Sequence, residues 1–245
     1  MFQPASLKGD SPTPIDERVR NKYLILYLII ILLSFIPCSL FEYWYLITFW
    51  NESFYWLFFL LLPLNIFFLI YILQLSALLF SVLILNIINL IHRPREGFFK
   101  RDINDKDYLY WNLRNTIKKW PLYLAASNPF PWLKNRFMLR FFGVKIGSRC
   151  MCDNGWISSE FVSIGKNVII GMGSTIISFG IEQDNFILKE IIVKENAAIG
   201  AKSVLLPGTI MKQNSKLSAH SYTNYDDVLE KDSIYMGHPA KLKKD

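Results

Sequence analysis

The chain has 245 residues, which is enough for one ordinary domain and an appendage. Hydrophobic residues make up 52% of it and aromatic residues 16%, and most of the excess lies between residues 23 and 91, which excludes a uniformly soluble globular protein. The formal net charge of +7 would suit an acidic partner, but the cations flank the apolar region and no nucleic-acid motif accompanies them. We therefore attribute the charge to a membrane protein and expect no nucleic-acid partner.

The first predicted element is a membrane-spanning helix. The run from Tyr23 to Phe41 is uncharged and about as long as the hydrocarbon core of a bilayer requires. Tyrosine, tryptophan and phenylalanine cluster on both sides of residues 51–52, and such rings gather at the membrane–water interface. We predict that the chain turns at Asn51 and Glu52, outside the hydrocarbon core.

A second apolar run extends from Trp56 to Ile91. It is too long for one straight span and short for two. We predict one long, tilted helix, kinked near Pro63, that carries Asn86 and Asn89 beyond the hydrocarbon core. The alternative is a third, short span, which would put the rest of the chain on the other side of the membrane.

Charge asymmetry predicts the orientation of this hairpin. Cationic residues flank its two outer ends, whereas the central connection carries only Glu42 and Glu52. We predict a cytoplasmic N-terminal tail over residues 1–22, an integral membrane hairpin over 23–92, and a downstream domain that is also cytoplasmic.

The segment over residues 93–142 is dense in aromatic and cationic side chains. Such a segment can lie in the membrane interface with its rings towards the lipid and its charges towards water. It can equally be a helical cap packed on the following domain. The sequence supports both interpretations, which are compatible.

The three cysteines do not form a disulfide framework. Cys38 lies in the apolar region, and Cys150 and Cys152 are too close in sequence for an ordinary bridge. We interpret all three as small packing residues in a reduced environment.

A six-residue repeat dominates the chain after residue 142. It occurs in two blocks separated by residues 177–192, and glycine follows the recurring residue at several positions. The recurring residues of the first block are Ile146, Cys152, Ser158, Ile164, Ile170 and Ile176, and those four places further on are Cys150, Trp156, Val162, Val168, Ser174 and Gly180. In the second block they are Val193, Ile199, Leu205, Met211 and Leu217, followed by Ala197, Ser203, Thr209, Ser215 and Ser221.

This period predicts a triangular coil in which each unit is a short strand and a turn. The recurring aliphatic residue points into the interior and stacks on its equivalents in adjacent coils, while small residues occupy the corners. Asn167, Asn196 and Asn214 suit left-handed turn conformations. We predict an all-β domain of about four coils over residues 143–245, with the interruption at 177–192 as a looped-out insertion.

The repeat resembles that of the left-handed parallel β-helix, or hexapeptide-repeat, acyltransferase superfamily. Within it, the chain is most similar to the membrane-associated β-helix domains of nonribosomal peptide synthetases of the polylysine-synthetase kind. The resemblance runs from about Arg93 to Lys243 and includes residues 92–97, 121–124 and 142–147. It also includes Gly237-His238-Pro239-Ala240-Lys241, which looks like the closing element of these enzymes.

The resemblance implies a homotrimer that holds acetyl-CoA or another acyl-CoA between neighbouring β-helices and transfers the acyl group to a hydroxyl or amine. It also implies a histidine general base at the start of a His-x-x-Glu stretch near the insertion. Here that stretch begins with Phe179 and ends with Glu182. The remaining candidates are Glu182 and His220, which is predicted to point outwards, while His92 and His238 are interpreted as structural.

The resemblance places cofactor contacts in two regions. Backbone amides of the turn Gly200-Ala201-Lys202-Ser203 are the expected contacts for pantetheine, and Lys202 and Lys241 are candidates for the CoA phosphates. No metal site is expected, because the chain does not supply three suitable histidines. Two hypotheses follow: a membrane-anchored acyltransferase with an unknown acceptor, or a degenerate β-helix that serves as a trimeric membrane scaffold.

Overall fold

A computed structural model describes residues 23–50, 55–102, 104–127, 133–152, 155–182 and 185–243. Its helices are α1 (Leu24–Phe49), α2 (Tyr55–Ile91), α3 (Lys106–Ala126), a π-helix (Leu133–Met138) and α4 (Leu139–Phe141). Strand β1 (Gly97–Lys100) precedes α3. The predicted tail over residues 1–22 and the predicted turn at residues 51–52 lie outside the described residues.

The remaining strands follow α4. They are β2 (Lys145–Ile146), β3 (Trp156–Ile157), β4 (Val162–Ile164), β5 (Ile169–Ile170), β6 (Thr175–Ile176), β7 (Phe179–Glu182), β8 (Asn185–Leu188), β9 (Ile191–Val193), β10 (Ala198–Ile199), β11 (Val204–Leu205), β12 (Ile210–Met211), β13 (Lys216–Leu217), β14 (Val228–Leu229), β15 (Ile234–Gly237) and β16 (Ala240–Leu242).

Helices α1 and α2 pack side by side in opposite directions. The Tyr45 hydroxyl donates to the Phe58 carbonyl at 2.6 Å, and the Asn65 amide donates to the Glu42 carboxylate at 2.8 Å. Both helices are long and apolar enough to cross a membrane by length and composition. The second apolar run is one helix that contains Pro63, so within the described residues it does not divide into two spans.

Helix α3 lies against both apolar helices. The Ser81 hydroxyl of α2 donates to the Ile117 carbonyl of α3 at 3.2 Å, and the Gln74 amide donates to the Leu124 carbonyl at 3.1 Å. The partner residue number falls on α3 as it rises on α2, so the two helices run antiparallel. Within the segment predicted as either interfacial or capping, α3 therefore packs on the apolar hairpin.

The strands after α4 form a parallel β-helix with three faces. The first face holds β2, β4, β9, β12 and β14, the second holds β5, β10, β13, β15 and β16, and the third holds β3, β6 and β11. Successive strands along the chain visit the three faces in turn and pair in parallel with the strands of adjacent coils. This strand topology confirms the predicted triangular coil.

The predicted interior is also confirmed, with one exception. Every recurring aliphatic residue of both blocks is buried in a single cluster, from Ile146 to Leu217. Each such side chain contributes about 1.5–3 kcal/mol on burial. The sequence placed Ser158 at the recurring position of its unit and Trp156 near a corner, and this is wrong by one residue. Ile157 pairs with Ile176 and fills the interior, and Trp156 is 44% exposed.

The first corner, between the first and second faces, carries a ladder of polar side chains. Asn167, Asn196 and Asn214 take left-handed φ angles of 57°, 58° and 59°, as predicted. The Asn167 amide donates to the Asn196 side-chain oxygen at 3.1 Å, and the Asn214 amide donates to Asp232 at 2.6 Å. Asparagine tolerates this backbone conformation, and its side-chain amide forms a hydrogen bond to the adjacent coil.

A buried cluster of charges joins α3 to the β-helix. The Arg114 guanidinium donates to the Glu160 carboxylate at 2.8 Å, and the Lys118 ammonium donates to the same carboxylate. All three side chains are buried. Burial alone would raise the pKa of Glu160, but the charges and hydrogen bonds of Lys118 and Arg114 outweigh it and lower that pKa. Burial lowers the pKa of the Lys118 ammonium.

Replacing this carboxylate destabilises the protein. In Glu160→Gln, two buried cations lose their counter-charge, and we expect a loss of about 3–5 kcal/mol in unfolding free energy. The matched control is Glu230→Gln, because Glu230 pairs with Lys212 at 2.7 Å on the surface, where a pair contributes less than about 1 kcal/mol. Thermal unfolding in detergent measures both, and equal losses in the two variants would contradict the account.

The same cluster predicts a dependence on pH. Because the pKa of Glu160 is lowered in the folded state, its stabilisation is present above the ordinary glutamate value of 4.5 and is lost as the pH falls through the folded value. The stability gap between the wild type and Glu160→Gln should therefore be full at neutral pH and narrow on acidification. Melting curves across that range test this, and a gap that stays constant or widens would refute it.

Candidate functional site

The predicted insertion is a β-hairpin at the third corner, between the third and first faces. Strands β7 and β8 pair antiparallel, and β1 adds to the outer edge of β8. The sequence predicted a loop here, and the pairing with β1 was not foreseen. The hairpin is therefore held by a strand that precedes α3, so the cap and the insertion form one unit.

Phe179, which stands where the resemblance implies a histidine, is a packing residue. Its ring centroid lies 4.8 Å from that of Trp111, 6.3 Å from that of Trp156 and 6.5 Å from that of Phe186. These rings join β7 and β8 to α3 in one aromatic cluster. The position thus fastens the hairpin to the cap.

Glu182, at the end of β7, contacts Tyr225 at the same corner. The carboxylate is only 5% exposed and accepts a hydrogen bond from the Tyr225 hydroxyl. A Cβ on Gly180 would lie 2.5 Å from that hydroxyl, so only glycine allows the ring its position. Burial first, and then the charge and hydrogen bond of Glu182, raise the pKa of Tyr225 to about 12. The phenol therefore remains protonated and acts as a donor.

Lys202 and His220 lie together at the second corner, between the second and third faces. Both are exposed and take left-handed φ angles, of 55° and 56°. The two turns belong to adjacent coils, and the His220 amide joins them by donating to the Ala201 carbonyl at 2.9 Å. His220 points outwards, as predicted.

The structure does not bring Glu182 and His220 together within one chain. Glu182 belongs to the third corner and His220 to the second, and the third face of the prism separates them. Each candidate therefore has its own surroundings: Glu182 has a buried phenol, and His220 has an exposed turn with a lysine beside it.

Several groups of the predicted cofactor turn already form hydrogen bonds between coils. The Gly200 amide donates to the Leu217 carbonyl at 2.8 Å and the Lys202 amide to the Met172 carbonyl at 3.0 Å. Ser203 is 0% exposed, and its hydroxyl donates to the Ser218 carbonyl at 2.8 Å. Pantetheine contacts at this turn therefore remain a prediction, and the bonds of these three groups favour Ala201 as the contact. Ala201 is partly exposed at this turn.

Lys241 lies in β16, which pairs antiparallel with β15 at the end of the second face, and its side chain is exposed. Of the other two histidines, His238 is exposed, with its ring centroid 5.7 Å from that of Tyr222. His92 lies 3.4 Å from the Asp107 carboxylate and stacks on Tyr110 at 4.5 Å. Within the described ranges, no group of three or more His, Cys, Asp or Glu side chains could hold a metal ion.

Sequence reasoning missed Tyr225. This residue follows the last regular repeat unit, and nothing in the repeat distinguishes it from an ordinary turn residue. Its role depends on contact with Gly180 and Glu182, which only the folded corner brings close.

No family model matches the chain. It is 25% identical over 107 residues to YvoF of Bacillus subtilis (strain 168), a candidate acetyltransferase, which covers 42% of this chain and 62% of that protein. It is 26% identical over 136 residues to the delta-poly-L-ornithine synthetase of Acinetobacter baumannii (strain AB307-0294), which covers 55% of this chain and 10% of that protein. The chain thus spans less than two thirds of each relative.

Among solved structures, the chain is similar to a hexapeptide-repeat containing acetyltransferase, VCA0836, from Vibrio cholerae O1 biovar eltor, in complex with acetyl-CoA. The identity is 17%, the TM-score is 0.43, and the match covers 58% of this chain and 91% of that one. A galactoside acetyltransferase in complex with CoA matches at 18% identity and a TM-score of 0.41, over 52% of this chain and 78% of that one.

The Tyr225 hydroxyl should stabilise the hairpin. In Tyr225→Phe, the buried Glu182 carboxylate loses one donor, so we expect faster amide hydrogen exchange across residues 185–188 and an unchanged β-helix interior. The control is Tyr235→Phe, because the Tyr235 hydroxyl accepts from the Glu230 amide at 3.1 Å, far along the chain from the hairpin. Equal exchange at the hairpin in the wild type and Tyr225→Phe would refute this role.

Proposed function

We propose that this protein is a membrane-anchored acyltransferase that moves an acetyl or other acyl group from acyl-CoA to a hydroxyl or amine. The observation that carries the proposal is the three-faced parallel β-helix, regular at two corners and interrupted at the third by a hairpin. The resemblance of its repeat to the left-handed hexapeptide-repeat acyltransferases supports it. So does the similarity to YvoF.

The reaction is a direct transfer. The acceptor oxygen or nitrogen attacks the thioester carbonyl carbon, a C–O or C–N bond forms, and the C–S bond breaks. The acceptor's proton goes to a general base, and CoA leaves as a thiolate that takes up a proton. We assign the base to His220, which is exposed, or to Glu182, which acts through the Tyr225 hydroxyl because its own carboxylate is buried.

A homotrimer gives these two candidates a common site. His220 and Glu182 lie at opposite edges of the third face in one chain, so a neighbouring copy could set one chain's second corner against another's third corner. Acyl-CoA would lie in this groove, with Ala201 near the pantetheine and Lys202 and Lys241 near the phosphates. The two lysines are exposed cations, which suits that role.

The proposed anchor is the α1–α2 hairpin, with the β-helix on the cytoplasmic side. Leu28, Leu32 and Leu60 are among many apolar side chains of these helices that are exposed. A large exposed apolar surface of this kind is covered by lipid in a membrane protein. Membrane attachment also brings the β-helix close to acceptors carried by lipids.

The second candidate is a trimeric membrane scaffold without catalysis. One observation favours it: Phe179 occupies the implied position of the base and is fixed in an aromatic cluster. Such a protein would keep the β-helix and its assembly but would not bind acyl-CoA.

Binding of acetyl-CoA separates the two candidates without knowledge of the acceptor. Calorimetric titration of the detergent-purified protein should give saturable binding at micromolar concentrations, and Lys202→Glu should weaken it at least tenfold, since a cation near phosphate is replaced by an anion. The control is Lys212→Glu, which makes the same charge change at the first corner. Absence of binding across several acyl-CoAs would establish the scaffold instead.

A further inference from the structure

The level of α3 relative to the bilayer follows from its contacts with α2, given the proposed membrane anchor. Aromatic residues around Phe58 mark the outer interface, and ~20 helical residues cross the ~30 Å hydrocarbon core. The inner boundary therefore lies near Leu78. Because Gln74 contacts Leu124 and Ser81 contacts Ile117, the stretch of α3 from Ile117 to Leu124 lies at this boundary.

The β-helix begins at the depth of this inner boundary, with its first coil nearest the membrane. Leu122 packs against the interior cluster of the β-helix, and Lys118 contacts Glu160 in the first coil. Further from the boundary, Trp111 contacts the hairpin that follows the second coil. Tyr123 is 64% exposed and Phe141 is 52% exposed at the membrane end, as expected of rings in an interface.

A groove of about 500 Å³ opens at this end of the first corner. Its rim carries Arg140, Lys145 and Lys166 against one acidic residue, Glu195. Val144, Ile146 and Ile164 also line it, with Gly147 and Gly165, but these three side chains are buried in the interior cluster, so the cations provide the exposed part of the groove. Over the described part of the chain, none of the three cations takes part in an ion pair.

Charge along the first corner changes with distance from the membrane. At the far end, Lys212 pairs with Glu230 at 2.7 Å, and Asp232 accepts from Asn214. At the near end, Arg149 and Lys166 occupy the equivalent turns, and neither forms an ion pair with a carboxylate of the described residues. Unpaired positive charge is therefore concentrated where the corner meets the lipid headgroups, and an anionic surface attracts each such cation by about 1 kcal/mol.

We propose that this groove binds the phosphate of an anionic phospholipid headgroup. Arg140, Lys145 and Lys166, which are all exposed, contact the phosphate oxygens. The proposal rests on the membrane anchor and is independent of acyl transfer, because the groove lies at the first corner and Lys202 at the second. Bound lipid would orient the β-helix upright on the membrane.

Hydrogen exchange of the full chain in nanodiscs tests the groove. In discs that contain phosphatidylglycerol, the Gly147 and Asn167 amides, which bond between coils at the groove, should exchange about tenfold more slowly than in pure phosphatidylcholine discs once lipid is near ten times its dissociation constant. The protection should vanish in Lys145→Glu/Lys166→Glu. It should persist in Lys212→Glu/Lys231→Glu, which makes the same charge change at the far end of the corner.

Two controls identify the source of the phosphate and separate this proposal from the anchor. Glycerol phosphate added to phosphatidylcholine discs should not protect the groove, and protection equal to that from phosphatidylglycerol would overturn the lipid assignment in favour of a soluble phosphate. Equal amide hydrogen exchange of Gly147 and Asn167 in the two kinds of nanodisc would contradict lipid binding in the groove. Retention of the chain in membranes after alkaline extraction reports on the anchor alone, so the two failures are distinguishable.

Discussion

The carboxylate of Glu160 connects two parts of the chain that have little else in common. It accepts from Arg114 and Lys118 of α3, and it belongs to the first coil of the β-helix. Three charges buried together are costly unless each is paired, so α3 has one position in which this cluster is satisfied. The backbone carbonyls of the same helix accept hydrogen bonds from the Ser81 and Gln74 side chains of α2. The apolar hairpin and the β-helix are therefore held in a single arrangement by the two sides of one helix.

The fixed position of α3 determines which side chains surround the inserted hairpin. Because α3 is fixed, Trp111 presents an aromatic surface to the third corner, and Phe179 and Phe186 pack on it. A histidine at position 179 would be enclosed by these rings, whereas Glu182 at the end of the same strand reaches Tyr225. The chemistry of this corner therefore resides in a carboxylate and a phenol, whereas the His220 imidazole lies at the second corner.

The sequence predicted the β-helix well because its constraint is periodic. One interior position in each six residues must be apolar, and Ile164, Ile199 and Leu205 show this without reference to anything distant. The slip at Trp156 occurred in the first coil, where the cap covers the core and the period is weakest. Contacts between distant segments left no such signal: β1 against β8, Arg114 with Glu160, and Gly180 beneath Tyr225. The turn amides of Gly200 and Lys202 fitted a cofactor by analogy, but bonding between coils already uses them.

The central claim is that this protein transfers an acyl group at a membrane, and transfer of a radiolabelled acetyl group from acetyl-CoA tests it most directly. Purified protein is added to membranes, and label is followed into the lipid, protein and polysaccharide fractions. The account predicts label in one fraction with equimolar release of CoA, and its loss in His220→Ala or Glu182→Gln. No incorporation by the wild type into any fraction would contradict the claim, and unchanged rates in both variants would contradict the assigned residues.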